Sequence, residues 1–308
     1  MGCSGESRAR HVVLALVTAF ALLSMSLAHG QEGKGDRSLI LFDHTKGETV
    51  GNADWVVDDD EPIPLPGEPR SELDWVGALS AWGHALYSTG RFNVRTLPRN
   101  GGRISFGDTT NPHDLSRFEV FVVAEPNITF TQVEVEALEQ FVADGGGLFL
   151  LANHCMSDRN RDGYDPPHIL NQLTHFTGIY FHEESDGRPK CWLSQETRNV
   201  SSGLDDPILG GEYGRVEKLH LLGATSMLLK RESNPTVRGH IWLKDALQGE
   251  GAVVFATLRF GKGRVAALAD SSPADDGTGY PGKRLFPNWD EPSHRALFLN
   301  ATTWLAGE

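Results

Sequence analysis

The stretch FVADGGGLFLLANH, Phe141 to His154, decides how the chain is read. It closes an amphipathic segment, breaks at three glycines, runs through Gly147-Leu-Phe-Leu-Leu151 and ends on Asn153 and His154. Glycine just past a helical stripe is a helix stop, because it adopts left-handed backbone at no steric cost. A short continuous apolar run bounded by turn residues is a strand with both faces covered. Upstream, Val135, Leu138 and Val142 share one helical face, and Glu134, Glu136 and Glu139 turn to water or toward the helix start. Thr129 or Thr131 supplies the N-cap oxygen. A helix passing through a glycine break into a buried strand is one half of an α/β unit.

Working outward, three more runs behave as strands: SLILFD from Ser38, FNVRTLP from Phe92, and FEVFVVAEP from Phe118, stopped at Pro126. Trp75, Leu79, Trp82 and Leu86 recur at spacings of four, three and four, predicting a helix from Asp74. Alternation of such strands and helices argues a mostly parallel sheet with helices on both faces. Downstream, HILNQLTHFTGIYF reads as a helix running into a strand or loop, and the segments from Glu217 to Lys230 and from Gly239 to Asp270 are rich in strand signals. Gly261 and Gly263 bracket Lys262 as a hairpin turn requires. The last helix is expected from Ser293 to Leu305, with Leu297, Ala301 and Trp304 on its stripe. Elaborated loops are expected at 56–73, which includes the proline-rich PIPLPGEPR, and at 183–214.

The 308 residues carry a formal net charge of −13, which repels phosphate backbones and disfavours nucleic-acid partners. Arg8, Arg10 and His11 precede an apolar run from Val12 to about Leu23, followed by the small residues of Ser26-Leu27-Ala28. That order is a secretory signal peptide over 1–28, followed by a short flexible stretch over 29–38. The expectation is a secreted protein, extracellular or periplasmic, with no stable membrane insertion after processing. Outside the signal segment the cysteines are Cys155 and Cys191. In an oxidising compartment they form a disulfide, or Cys155 remains free for thiol chemistry. Asn127, Asn199 and Asn300 each open a glycan-acceptor triplet.

Open parallel sheets bind ligands beyond the carboxyl ends of their strands. Three such ends are polar here: Asp43-His44-Thr45, Asn153-His154, and Asp270-Ser271-Ser272 with Asp275 and Asp276 beyond. His154 suits a general base or metal ligand, with Asp270 and Asp43 to orient it or balance its charge. These groups suit a catalytic divalent metal whose bound water is the nucleophile. His44, Asn153, Ser271, Asp275 and Asp276 are the substrate-binding candidates. In the adjoining loop Asp158, Asn160 and Asp162 present oxygens at i, i+2 and i+4, with Gly163 next and Tyr164 and Asp165 to complete a calcium loop. Ile169 stands where an EF-hand has glutamate, and Pro166 and Pro167 interrupt the usual exit, so this is no EF-hand. Trp55, Trp192 and Trp289 lie in polar contexts and are the candidates for stacking on a ligand.

FVADGGGLFLLANH, FGKGRVAALADSSPADD (Phe260 to Asp276) and LFDHTKGETVGNADW (Leu41 to Trp55) together resemble the class I glutamine-amidotransferase-like superfamily. The resemblance is nearer its trehalose-utilisation-type and intraflagellar-transport-type branches than its amidotransferases, and it spans about Leu39 to Leu305. It implies one domain over 39–308: a flavodoxin-like three-layer sandwich with a mostly parallel sheet and a C-terminal strand-rich excursion. The amidotransferases carry a cysteine on a sharp, glycine-flanked elbow, completed by a late histidine and glutamate. Asn153-His154-Cys155-Met156 lacks those glycines, so glutamine hydrolysis is not expected. Two functions are expected as alternatives. One is a secreted, metal-assisted hydrolase acting on a carbohydrate or related polar small molecule. The other is a noncatalytic extracellular domain that binds carbohydrate or protein and carries a structural calcium loop.

Overall fold

The computed structural model describes residues 1–2, 37–58, 74–183, 191–203, 206–277 and 288–308. The signal peptide, nearly all of the 29–38 stretch and most of the 56–73 loop fall outside the described residues. Contacts divide the chain into Met1–Gly35 and Asp36–Glu308, and among the described residues every helix and strand belongs to the second unit.

In chain order the elements are β1 (Ser38–Asp43), α1 (Ser80–Ser88), β2 (Phe92–Leu97), β3 (Val120–Ala124), α2 (Gln132–Asp144), β4 (Gly147–Leu151), α3 (Pro166–Leu170), α4 (Thr174–Thr177) and β5 (Ile179–Phe181). They continue with β6 (Leu193–Thr197), β7 (Leu219–Ala224), β8 (Met227–Leu229), β9 (Arg238–Trp242), β10 (Val253–Phe260), β11 (Gly263–Leu268) and α5 (Pro292–Leu305). Among the described residues the main sheet has nine strands in the order β2-β1-β3-β4-β11-β10-β8-β5, with β9 also paired to β10. Pairing is parallel from β2 through β11 and antiparallel beyond. This is the expected flavodoxin-like sandwich with added C-terminal strands.

The decisive stretch folds as its composition demands. Thr131 caps α2 by accepting from the Glu134 backbone N–H, and the Glu134 carboxylate returns to the Thr131 N–H at 2.8 Å. This reciprocal capping box satisfies two otherwise orphaned donors. Every residue of β3 and β4 is buried, as both-face coverage requires. The step from β1 to β2 runs one way across the sheet and the step from β3 to β4 the other, so right-handed crossovers put α1 and α2 on opposite faces. On the α1 face Trp82 meets Phe42, Phe149 and Phe298, at 5.0, 5.4 and 4.7 Å between ring centroids, tying α1, β1, β4 and α5 into one core. The hairpin joining β10 to β11 turns at Gly261, φ +56°, and returns the chain beside β4 in parallel register, Arg264 against Gly147.

Two boundaries differ from expectation. The first helix begins at Ser80 rather than Asp74. Ala78 and Leu79 donate their N–H groups to Asp54 and Val56 at 2.9 and 3.0 Å, and a Cβ on Gly77 would lie 2.2 Å from the Val56 oxygen. The stretch before Ser80 is therefore drawn onto the loop after β1 instead of coiling. Trp75 keeps its buried place without helical backbone. Inside the expected 183–214 loop, β6 pairs with β7 as a separate two-stranded sheet. Its residues, LSQET, carry little apolar alternation, so only its distant partner makes it a strand.

Candidate functional site

The carboxyl ends of β1, β3, β4 and β11 lie side by side. The residue that organises three of them is Glu125, directly after β3. It takes a left-handed conformation, φ +51°, while its N–H donates to the Leu151 carbonyl at 2.9 Å. Its carboxylate is fully buried. Oε1 accepts from Arg159 Nη2 at 2.5 Å, from Arg159 Nε at 3.1 Å, and from Asn153 Nδ2. Ser271 Oγ donates to Oε2 at 3.2 Å. One carboxylate thus joins the ends of β3, β4 and β11 to the loop that carries Arg159. Sequence reasoning passed over both residues. The signal was an acidic residue at a strand's carboxyl end, the same signal used for Asp43 and Asp270, but Pro126 marked that segment only as a strand stop. Arg159 lay hidden inside the calcium-like pattern.

Asp270 is also fully buried. Oδ1 accepts from the Ser272 N–H at 2.9 Å, and Oδ2 accepts from Leu222 N at 2.7 Å and Ser272 Oγ at 2.7 Å. Burial pushes its carboxyl up to about 7, opposed by those hydrogen bonds and assisted by the charge of Glu125. Ser271 and Asn153 thus bond Glu125 directly, and Asp270 lies close enough to feel its charge.

His154 sits at the rim of this network. Its Nδ1 donates to the Cys155 carbonyl at 2.6 Å, which fixes the tautomer and leaves the lone pair on Nε2. Burial pushes its pKa down, so the ring is neutral at physiological pH. The imidazole stacks on Trp192 at 3.9 Å between centroids and 19° between planes. Trp192 is 59% exposed, whereas Trp55 and Trp289 are buried in the core, correcting their reading as stacking candidates. The sulfurs of Cys155 and Cys191 are joined in a disulfide, so Cys155 has no thiol for catalysis.

Asp43 lies in different company. Its Oδ1 accepts from Thr45 N and Thr45 Oγ1, both at 2.8 Å, and the charges acting on it are those of Lys46 and Glu134. Burial pushes it up to about 6 and pushes the neighbouring Glu48 well above its usual range. Asp43 Oδ2 and Glu48 Oε1 are buried without a hydrogen-bond partner. Lys46 is turned away to Glu134 at 2.6 Å. His44 bonds Thr49 Oγ1 at 2.9 Å. Asp276 receives Ser80 Oγ at 2.5 Å and the Ala81 N–H at the start of α1, and Asp275 receives the Gly277 N–H at 2.7 Å. The structure therefore brings Asn153, His154, Asp270 and Ser271 around Glu125, and sets Asp43, His44, Asp275 and Asp276 among other partners.

In the calcium-like loop, Asp158 accepts from Asp162 N and Gly163 N at 3.1 and 2.9 Å, and Asp162 accepts from Tyr164 N at 3.0 Å. Asn160 Nδ2 donates to the Asn127 carbonyl, and Asp165 caps α3 through His168 N at 3.1 Å. Among the described residues no three histidine, cysteine, aspartate or glutamate side chains form a ready metal cage. The amides of Asn127, Asn199 and Asn300 all donate to backbone carbonyls, so none of the three acceptor triplets presents a free amide in the folded chain. A cavity of about 250 Å³, lined partly by Phe106, Phe118 and Phe141, lies at the opposite end of the sheet, beside the start of β4, and has no part in this site.

No protein-family profile and no curated protein matches the chain. Among solved structures, the mmIFT52 N-terminal domain aligns over 87% of this chain and 97% of its own at 12% identity, with a TM-score of 0.54. A cytoplasmic protein from Salmonella typhimurium aligns over 87% of this chain and 98% of its own, at 10% identity and a TM-score of 0.50. A ThuA-like protein from Bacteroides uniformis covers 90% and 94% at 13% identity, with a TM-score of 0.44. At these identities the likeness is one of architecture. It carries no substrate across, because sites are grafted onto folds. Among the described residues no helix is long and apolar enough to cross a membrane.

Proposed function

We propose that this is an exported, noncatalytic carbohydrate-binding domain whose ligand platform is the Trp192 indole, backed by His154 at the carboxyl ends of the parallel strands. One observation carries the reading. The oxygens of Glu125 and Asp270 are committed to protein donors, whereas Trp192 has one face on His154 and is more than half exposed. An exposed indole at a polar rim suits a ligand that has an apolar ring face and hydroxyls at its edge, as a pyranose does. The chain's net charge of −13 favours a neutral sugar over a polyanion. Export rests on the 1–28 segment. A bound calcium ion would take its ligands from Asp158, Asn160 and Asp162, whose oxygens are of the hard type that ion prefers.

Isothermal titration of the purified protein with mannohexaose and cellohexaose tests the reading. Binding of at least one, weakened about tenfold or more by Trp192→Ala, is expected, a loss of about 1.4 kcal/mol. No binding of either sugar, or equal affinity in the variant, refutes it.

A hydrolytic reading draws on the neutral His154, whose free Nε2 lone pair suits a general base. It requires turnover of an identified substrate that His154→Ala abolishes without changing the folded spectrum. A catalytic divalent metal would belong to that reading alone.

A further inference from the structure

We infer that the Cys155–Cys191 disulfide is the positioning clamp of the His154–Trp192 platform, so that the platform exists only in the oxidised chain. The two halves of the bond are the sequence neighbours of the two stacked rings: His154 precedes Cys155, and Trp192 follows Cys191. The bond joins residues 36 apart in sequence, with Cα atoms 5.3 Å apart, and Cys155 N donates to the Cys191 carbonyl at 3.0 Å beside it. Gly223 backs the imidazole from β7. Its φ is +79°, and a Cβ there would lie 3.0 Å from His154 Cδ2.

A core tryptophan is fixed by the surface it removes from water. At 59% exposure Trp192 removes too little to fix its own orientation. Ring stacking contributes on the order of 1 kcal/mol, comparable to the entropy of ordering the side chain. A covalent tie at the adjacent residue supplies the missing constraint by restricting the chain before the rings meet. The main sheet does not need it: β3, β4 and β11 are closed by their own backbone ladders, and both cysteines lie outside the strands.

A small dithiol reduces the bond in two exchange steps. One thiolate attacks a protein sulfur to give a mixed disulfide, and the second displaces the remaining protein thiolate. Two electrons pass from the dithiol to the protein, and two cysteine thiols form.

The test uses the whole protein with and without dithiothreitol, with Trp192→Phe to isolate the Trp192 emission by difference. On reduction the far-ultraviolet circular dichroism should be unchanged. The Trp192 component should shift to the red and become more accessible to acrylamide, and reoxidation should restore it. Cys155→Ser/Cys191→Ser should behave as the reduced protein does. Unchanged Trp192 emission and quenching after verified reduction overturns the clamp. So does loss of the sheet's circular dichroism, because the bond would then be holding the core. The inference takes its functional meaning from the carbohydrate reading, and the two fail separately. Mannohexaose affinity falling about tenfold or more on reduction supports both. A Trp192 response in a chain that binds no sugar in either state supports the clamp and removes the carbohydrate reading.

Discussion

Two buried carboxylate clusters lie on the same edge of the same sheet, and they are solved in opposite ways. At the ends of β3, β4 and β11, Glu125 meets a guanidinium, an amide and a hydroxyl, which occupy both of its oxygens. At the end of β1, Glu48 feels the charge of Asp43, each keeps one buried oxygen without a partner, and the nearby lysine is bound to Glu134. A buried carboxylate tolerates its charge when a cation and donors replace its hydration; without them it holds a proton instead. The first cluster is therefore a hydrogen-bonded knot around Glu125. The second is a pair of carboxyls that burial pushes toward the protonated form.

The largest effect should come from cutting the knot. Arg159→Ala leaves the Glu125 carboxylate buried with its cation gone, and urea unfolding should report a loss of about 3–5 kcal/mol. A loss under about 1 kcal/mol would mean that Glu125 is not held by Arg159, and the contrast between the clusters would vanish.

The β1 pair should reveal itself through pH. Burial raises the folded-state value of Asp43 to about 6 and raises Glu48 in the same direction. The folded chain then binds more protons than the unfolded chain above the ordinary carboxylate range. The pair's contribution is complete below about pH 4 and falls as pH rises through the folded values. Denaturant melts between pH 4.5 and 8 should show a decline on the order of 5 kcal/mol, about 2 of it from Asp43. Asp43→Asn should remove its lower portion. The portion belonging to Asp270, raised to about 7, should remain. An identical decline in wild type and variant would show that Asp43 does not titrate in this window.

The smallest effect concerns the loop that carries Arg159. Calcium bound by Asp158, Asn160 and Asp162 at about ten times its dissociation constant would add roughly 1.4 kcal/mol, which raises the Tm by about 3–6 °C. Asp158→Asn should abolish the shift. A Tm indifferent to calcium and chelator would leave the loop as a hydrogen-bonded turn that merely presents Arg159.

Much of the architecture was legible because it is periodic. The all-apolar run from Gly147, the helical stripe through Val135, Leu138 and Val142, and the glycines around Lys262 each announce a backbone state through neighbours a few residues away. Strand ends could be read as the polar edge for the same reason, which is why the sequence places Asn153, His154, Asp270 and Ser271 there. The start of α1 and the existence of β6 could not be read, since each depends on hydrogen bonds to distant segments.

The sequence by itself determined where strands and helices alternate and which strand ends are polar. These follow from side-chain period and from the cost of exposing apolar surface. Tertiary structure alone decided that Glu125 rather than Asp43 holds the centre, that Arg159 answers it, that the cysteines are joined and that Trp192 faces outward. Those outcomes turn on which charge and which ring lie within a few ångströms across the fold, and electrostatics and stacking depend on that distance rather than on separation along the chain.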